Sequence, residues 1–142
     1  MTQSFLNKAS NAGLYYLPAS RQHLLSGLVS HAHLSLLVVD IAPLRALGEI
    51  LAELGRALQF PTWYGANFDA LHDCLTDPDW QKGKPIAISI NGLGELQQHD
   101  PEAFSTLIEV LASAAGERTA EKHPLWILLD APAQGIPTLP QA

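Results

Sequence analysis

The chain has 142 residues, enough for one domain whose core needs neither a disulfide nor a metal. Hydrophobic residues make up 47% and charged residues 15%, which excludes a broadly disordered chain. The formal net charge of −6 argues against non-specific nucleic-acid binding, which draws on Lys and Arg against phosphates, and favours a basic partner.

Cys74 is the only cysteine, so no intrachain disulfide can form, which fits a reducing compartment. Met1 to Ala12 shows no basic stretch followed by an apolar one, so no secretion signal is expected. No apolar run reaches the ~18 residues of a membrane span. The expectation is a cytoplasmic protein without a membrane segment.

Residues 1–12 read as polar and loose. Leu14 to Leu17 is a short strand stopped by Pro18. Ser20 is placed to cap a helix from Arg21 to His31, with Leu24, Leu25, Leu28 and Val29 on its buried stripe. Leu34 to Val39 is almost continuously apolar, the pattern of a strand covered on both faces. A helix from Pro43 to Leu58 follows, with Leu44, Leu47, Leu51, Leu54 and Leu58 at three- and four-residue steps.

A second helix starts near Asn67 and ends before Pro78. Ile86 to Ile90 is a strand rich in β-branched residues. Asp100-Pro101-Glu102 opens a helix with a cap, a proline and an acid, and Gly116 is placed to close it. Its buried stripe is Phe104, Leu107, Ile108 and Leu111. Leu125 to Leu129 is the last strand, and residues 131–142 read as a Pro-rich tail. The order β-α-β-α-α-β-α-β predicts an α/β fold, a small mainly parallel β-sheet packed with helices. The whole chain, 1–142, is expected to be one domain.

The stretch from Thr62 to Asp77 carries the functional signal. Between Arg56 and Lys82 stand Asp69, Asp73, Asp77 and Asp79, with no Lys or Arg among them. At about 100° per residue, Phe68, Leu71 and Leu75 share one helix face, and Asp69, Asp73 and Thr76 lie roughly 80–140° away from Phe68. Acids at i and i+4 repel by roughly 0.2–0.5 kcal/mol per pair, and no matching Lys offsets them. Asp69 favours the helix dipole, whereas Asp73 lies beyond the first turn and Asp77 near the disfavoured end. Such a face is either merely solvated or a docking surface for cations, and spacing does not decide between them. Trp63 and Tyr64 stand beside it as aromatics of the kind found at interface hot spots, although a ring of this pair can equally belong to the core. Gly65 allows the turn before the helix, and Asn67 suits its cap.

Trp63-Tyr64-Gly65-x-Asn67-x-Asp69-Ala70-Leu71-x-Asp73-Cys74-Leu75-Thr76 resembles the signature segment of the barstar family of ribonuclease inhibitors. The upstream Leu-rich helix ending at Phe60-Pro61 and the downstream strand, helix and strand follow the family order. The resemblance covers residues 34–130, with an added N-terminal β-α unit over 13–33. It implies that the helix and its lead-in turn plug the active site of a basic barnase-type ribonuclease, either the cell's own or a toxin. Asp73 matches the aspartate that replaces the RNA phosphate, and Asp69 a second acid that contacts an arginine. Trp63 matches the aromatic anchor, Asn67 the helix-start asparagine and Thr76 a contact near the helix end. Tyr64, Gly65 and His72 complete the implied partner-binding set, and the free chain is expected to be monomeric. The sequence departs from the family at His72, where an aromatic is common, at Ala66, where an acid occurs, and at Asp77-Pro78. A further acid expected from the last helix has no motif to place it; Glu109 is on that helix.

Other chemistry finds less support. Cys74 and His72, two apart on a helix, point to different faces and form no nucleophilic dyad. Asp69-x-x-His72 has no second copy to complete a metal site. His23, His31 and His33 near a helix end read as surface groups. Asn91-Gly92-Leu93-Gly94 lacks the third glycine of a dinucleotide loop, where Gln97 stands. No nucleophile elbow or phosphate-binding lysine motif is present. The expectation is a binding protein with no catalytic residues, no metal, no cofactor and no nucleic-acid partner. The alternative is the same fold serving a non-ribonuclease basic partner.

Overall fold

The computed structural model describes residues 5–140. Four strands, β1 (Leu14–Tyr16), β2 (Ser35–Asp40), β3 (Ile86–Asn91) and β4 (Leu125–Leu129), form one sheet in the order β1-β4-β3-β2. Every pairing is parallel. Among the described residues the α-helices that accompany them are α1 (Leu25–His31), α2 (Leu47–Ala57), α3 (Phe68–Thr76), α4 (Gly94–His99) and α5 (Pro101–Ala120). The mixed α/β architecture with a parallel sheet is the one the sequence predicts.

β4 is apolar throughout and β3 is so except at Ser89 and Asn91, because both sheet faces are covered. On one face Ile86, Ile88, Ile90, Ile127 and Leu129 pack against Ile50 and Leu54 of α2, Leu71 and Leu75 of α3, and Leu107 and Leu111 of α5. On the other, Ala87, Trp126 and Leu128 meet Leu6, Leu17, Leu25, Val29 and Leu139. The N-terminal unit thus covers the second face and contributes the edge strand β1.

Several local expectations fail for identifiable reasons. Residues 5–12 are not loose: Leu6 is buried, and Phe5 meets Tyr15 and Trp126 edge-on at 5.2 and 5.8 Å. The remaining residues of that expectation, 1–4, lie outside the described ones. Residues 131–140 of the Pro-rich tail are docked as well, and 141–142 lie outside the described ones. Leu139 is buried, its N–H donates to Tyr16 O at 2.9 Å, and Arg21 Nη1 donates to its carbonyl at 2.7 Å. Ser20 caps nothing: a 3-10 helix spans Ala19–Leu24 before α1 begins, and Leu24 is left exposed. β2 is the sheet edge rather than a covered strand, so Val38 is 55% exposed. Pro43 follows a cis Ala42–Pro43 peptide in a turn closed by Leu44 N–H to Ile41 O, and α2 starts only at Leu47. Gly116 is interior to α5, which runs on to Ala120.

The Asp100 cap holds as predicted, with Oδ1 accepting from Ala103 N–H at 3.1 Å. The short helix α4 is unanticipated; it follows the glycine loop after β3. Among the described residues no helix is long and apolar enough to cross a membrane.

Candidate protein-binding site

α3 is built from its first residue inwards. Asn67 is extended (φ −134°, ψ 171°), and its Oδ1 accepts the Ala70 N–H at 2.8 Å, satisfying one of the free donors of the first turn. The left-handed residue before it is Ala66 (φ 52°), not Gly65. Leu71, Cys74 and Leu75 are buried, while Asp69 and Asp73 are exposed. Among the described residues neither carboxylate has an ion-pair partner. The helix therefore presents two unneutralised acids one turn apart. Asp77 has left the helix, and its Oδ1 accepts the Asp79 N–H at 2.8 Å.

The two lead-in aromatics divide between surface and core. Trp63 is 58% exposed and borders an open groove of about 510 Å³ with Gln59, Cys74, Asp77, Asp79 and Trp80. Tyr64 is half-buried. Its hydroxyl donates to Leu51 O at 2.7 Å, and its ring meets Phe60 edge-on at 5.0 Å. Burial, and then the Cys74 thiolate charge, push its phenol up to about 12. Tyr64 is thus the post that ties the lead-in turn to α2.

His72 turns towards α5 instead of standing out from the surface. Its Nε2 lies 3.2 Å from Ser113 Oγ and 3.5 Å from Glu117 Oε1. Thr76 donates its hydroxyl to His72 O at 2.8 Å, leaving oxygen lone pairs for an incoming donor. The acid that α5 brings beside α3 is Glu117; Glu109 borders a separate cavity of about 240 Å³ with Phe104 and Ala133.

Two supports of the site escaped sequence reasoning. Trp80 is buried and donates Nε1–H to Leu58 O at 2.7 Å. Arg118, 3% exposed, stacks over that ring at 5.2 Å and donates to Leu75 O at 3.3 Å and Lys84 O at 3.1 Å. It places a cation at the carbonyl end of α3, where the helix dipole favours one. A single arginine among the acids and hydroxyls of α5 carried no periodic signal.

Competing chemistries meet specific obstacles. The Cys74 thiol is buried and pushed up to about 11, by burial first and then by Asp77 and Asp73, so it is a poor nucleophile. The N–H groups of the glycine loop already have an anion: Asp130 accepts from Gly92 at 2.7 Å and from Leu93 at 3.2 Å. Gly92 itself (φ 99°) lies so close to Ala42 that a Cβ would come within 2.6 Å of its nitrogen. Among the described residues no group of three or more His, Cys, Asp or Glu is arranged around a metal position.

The profile of the family described as Barstar (barnase inhibitor) matches residues 34–130, from the residue before β2 to the one after β4. Among curated proteins no match is found. A match over more than half of the chain places it in a family, and this protein belongs to the barstar family.

Proposed function

We propose that this protein is an inhibitor that binds a basic barnase-type ribonuclease and occludes its active site with α3 and the turn before it. The observation that carries the reading is the pair Asp69 and Asp73, exposed, without an ion-pair partner among the described residues, on a helix whose other face is locked into the core. Family membership supplies the partner class. Arg side chains pair bidentately with carboxylates, and a carboxylate seated among active-site cations stands in for a substrate phosphate. Asp73 takes that position. Asp69 and Glu117 flank it, Trp63 supplies apolar contact area, and Gly65, Asn67 and Thr76 line the approach. Tyr64 serves by holding the turn, and His72 by its contact with α5.

The net charge of −6 speeds encounter with a basic enzyme. We place the inhibitor in the cytoplasm, as a monomer and a single domain, guarding against the cell's own enzyme or a foreign toxin. The test is titration of a barnase-type ribonuclease with purified protein, with inhibition expected near one-to-one stoichiometry. Asp73→Ala is expected to weaken binding by about 2–5 kcal/mol, a range for truncated charge pairs to which barstar–barnase pairs themselves contribute. Unchanged inhibition by that variant removes Asp73 from the phosphate position.

One observation favours a second reading, a basic partner that is not a ribonuclease. His72 engages α5 and offers no large ring at the centre of the face. Capture experiments with wild type and an Asp69→Asn/Asp73→Asn variant separate the two, since recovery of ribonucleases alone eliminates the second.

A further inference from the structure

The acidic face carries one imidazole, and it sits between the acids. His72 lies three residues after Asp69 and one before Asp73, with Nε2 3.2 Å from Ser113 Oγ and 3.5 Å from Glu117 Oε1. We infer that His72 makes docking of a cationic partner pH-sensitive: protonation draws Glu117 into an ion pair and takes a negative charge off the face. The inference rests on the acidic-face reading given above.

The neutral ring has two ways to meet its neighbours. It accepts the Ser113 hydroxyl proton at Nε2, or it donates from Nε2 to Ser113 or Glu117. When it accepts, the Glu117 carboxylate, 57% exposed, is free to meet a partner's cation. The imidazolium is a donor at both nitrogens, and the bond from Nε2 to Glu117 becomes charge-assisted. The local charge of Asp69, Asp73 and Glu117 is then partly cancelled in place. A partner's Arg or Lys seated on the same face repels the imidazolium. Binding therefore expels the proton, and affinity falls on acidification.

The neighbours leave His72 as the responsive group. On its own helix Asp69 and Thr76 lie one turn to either side, and Asp73 is its neighbour in the chain. On α5 it faces Ser113 and Glu117, with Glu109 one turn before Ser113. Beyond Thr76 the adjoining cavity of about 360 Å³ is bordered by Glu117, Arg118, Glu121 and His123. Arg118 is bound to the Leu75 and Lys84 carbonyls, and His123 Nδ1 lies 2.8 Å from Gly83 O, so both are engaged away from His72. On α2 Glu53 and Arg56 pair with each other, and Glu49 stands in its first turn. The remaining charges of the 3-10 segment after α3, Asp79 and Lys82, border the groove beside Trp63.

The test uses a hexa-arginine peptide as probe, followed by amide shifts in α3 of the full chain at about pH 7.5 and about pH 5.5, which bracket the usual imidazole range. Wild type is expected to lose affinity on acidification by about fivefold more than His72→Gln, as one added charge a few ångströms away would cause. His72→Lys, cationic at both values, should bind at pH 7.5 as weakly as acidified wild type. Asp69 and Asp73 are present in all three proteins, which differ only at residue 72. Asp73→Asn should abolish the shifts at pH 7.5. Equal pH ratios in wild type and His72→Gln overturn the switch alone. Absence of any Asp73-dependent peptide binding at pH 7.5 overturns the acidic-face reading and the switch with it.

Discussion

The guanidinium of Arg118 donates to the main-chain carbonyl of Leu75 across 3.3 Å, tying α5 to the last turn of α3. The same side chain reaches Lys84 O and covers the Trp80 ring, so one buried cation joins three segments behind the acidic face. Burial lowers the guanidinium pKa, and two carbonyls and a π-face offset the desolvation. Arg118→Ala leaves those carbonyls short of a donor and opens a void. A loss of about 2–4 kcal/mol is expected in urea unfolding, from the unmade bonds and the cavity together. A loss below about half a kcal/mol, the range of ordinary surface changes, would show the contact to be incidental.

Gly55 lies beneath Tyr64. A Cβ there would come within 2.4 Å of Tyr64 Cε2 in a side chain already fixed by its bond to Leu51 O. Gly55→Ala is expected to push the ring outwards and shift the Trp63–Asn67 turn. The cost is about 1–3 kcal/mol, the usual range for overpacking, despite alanine's better helix propensity. Thermal denaturation measures it, and partner affinity should fall with it, because Tyr64 positions the turn rather than touching the partner. A more stable Gly55→Ala protein would refute this packing.

Three helices end in the same way, and none ends in glycine. His33, Gln59 and Lys122 have φ of 58°, 61° and 66°. In each case the next residue's N–H reaches back five positions: Leu34 to Val29 O, Phe60 to Gly55 O, His123 to Arg118 O. These are Schellman ends with side chains in the position that glycine usually fills. Lys122→Gly removes a left-handed strain of roughly 1–2 kcal/mol and adds back part of it as unfolded-state entropy. A net gain near 1 kcal/mol is expected in chemical denaturation. No gain would indicate that the lysine side chain compensates locally.

These ends explain much of what the sequence concealed. A search for a closing glycine finds Gly116, which lies inside α5, and passes over Lys122, which closes it. Two starts were legible, because Asn67 and Asp100 announce themselves by a side chain that makes the capping bond, whereas Ser20 and Pro43 make none. The central strands were legible from their apolar runs, since both faces are covered. β2 was not distinguishable from them, because an edge position is a matter of strand order. In the site, the acids and the cap were readable from spacing. The inward turns of Tyr64 and His72, the placement of Glu117 and the roles of Trp80 and Arg118 depend on contacts 13 to 45 positions apart in the chain.

The buried thiol and phenol predict an alkaline limit. Cys74 is pushed from 9.0 to about 11, and Tyr64 from 10.0 to about 12, each mainly by burial. Between the unfolded and folded values the unfolded chain has lost its proton while the native one keeps it. Stability is therefore flat with respect to these groups below about pH 9 and falls as pH rises through 9 to 12. Urea midpoints across that window should decline less in Cys74→Ala than in wild type. Native protein at pH 8 should resist iodoacetamide until denaturant is added; rapid alkylation of the folded protein would contradict the burial of Cys74.

Asp73 separates stability from binding. It stands one turn after Asp69 and one turn before Asp77, beyond the first turn where the dipole favours an acid. No hydrogen bond or ion pair within the described residues engages its carboxylate. Asp73→Asn keeps the shape and removes the charge, relieving repulsion worth roughly 0.2–0.5 kcal/mol per neighbouring acid. The variant should therefore unfold at slightly higher urea than wild type while losing most of its affinity for a cationic partner. The two effects have opposite signs, and that opposition is what marks a residue kept for recognition. It also separates this role from the roles of Tyr64 and Arg118, whose loss lowers stability and affinity together. A destabilised Asp73→Asn protein would mean that the carboxylate works inside the fold, and the docking role would then pass to Asp69 and Glu117.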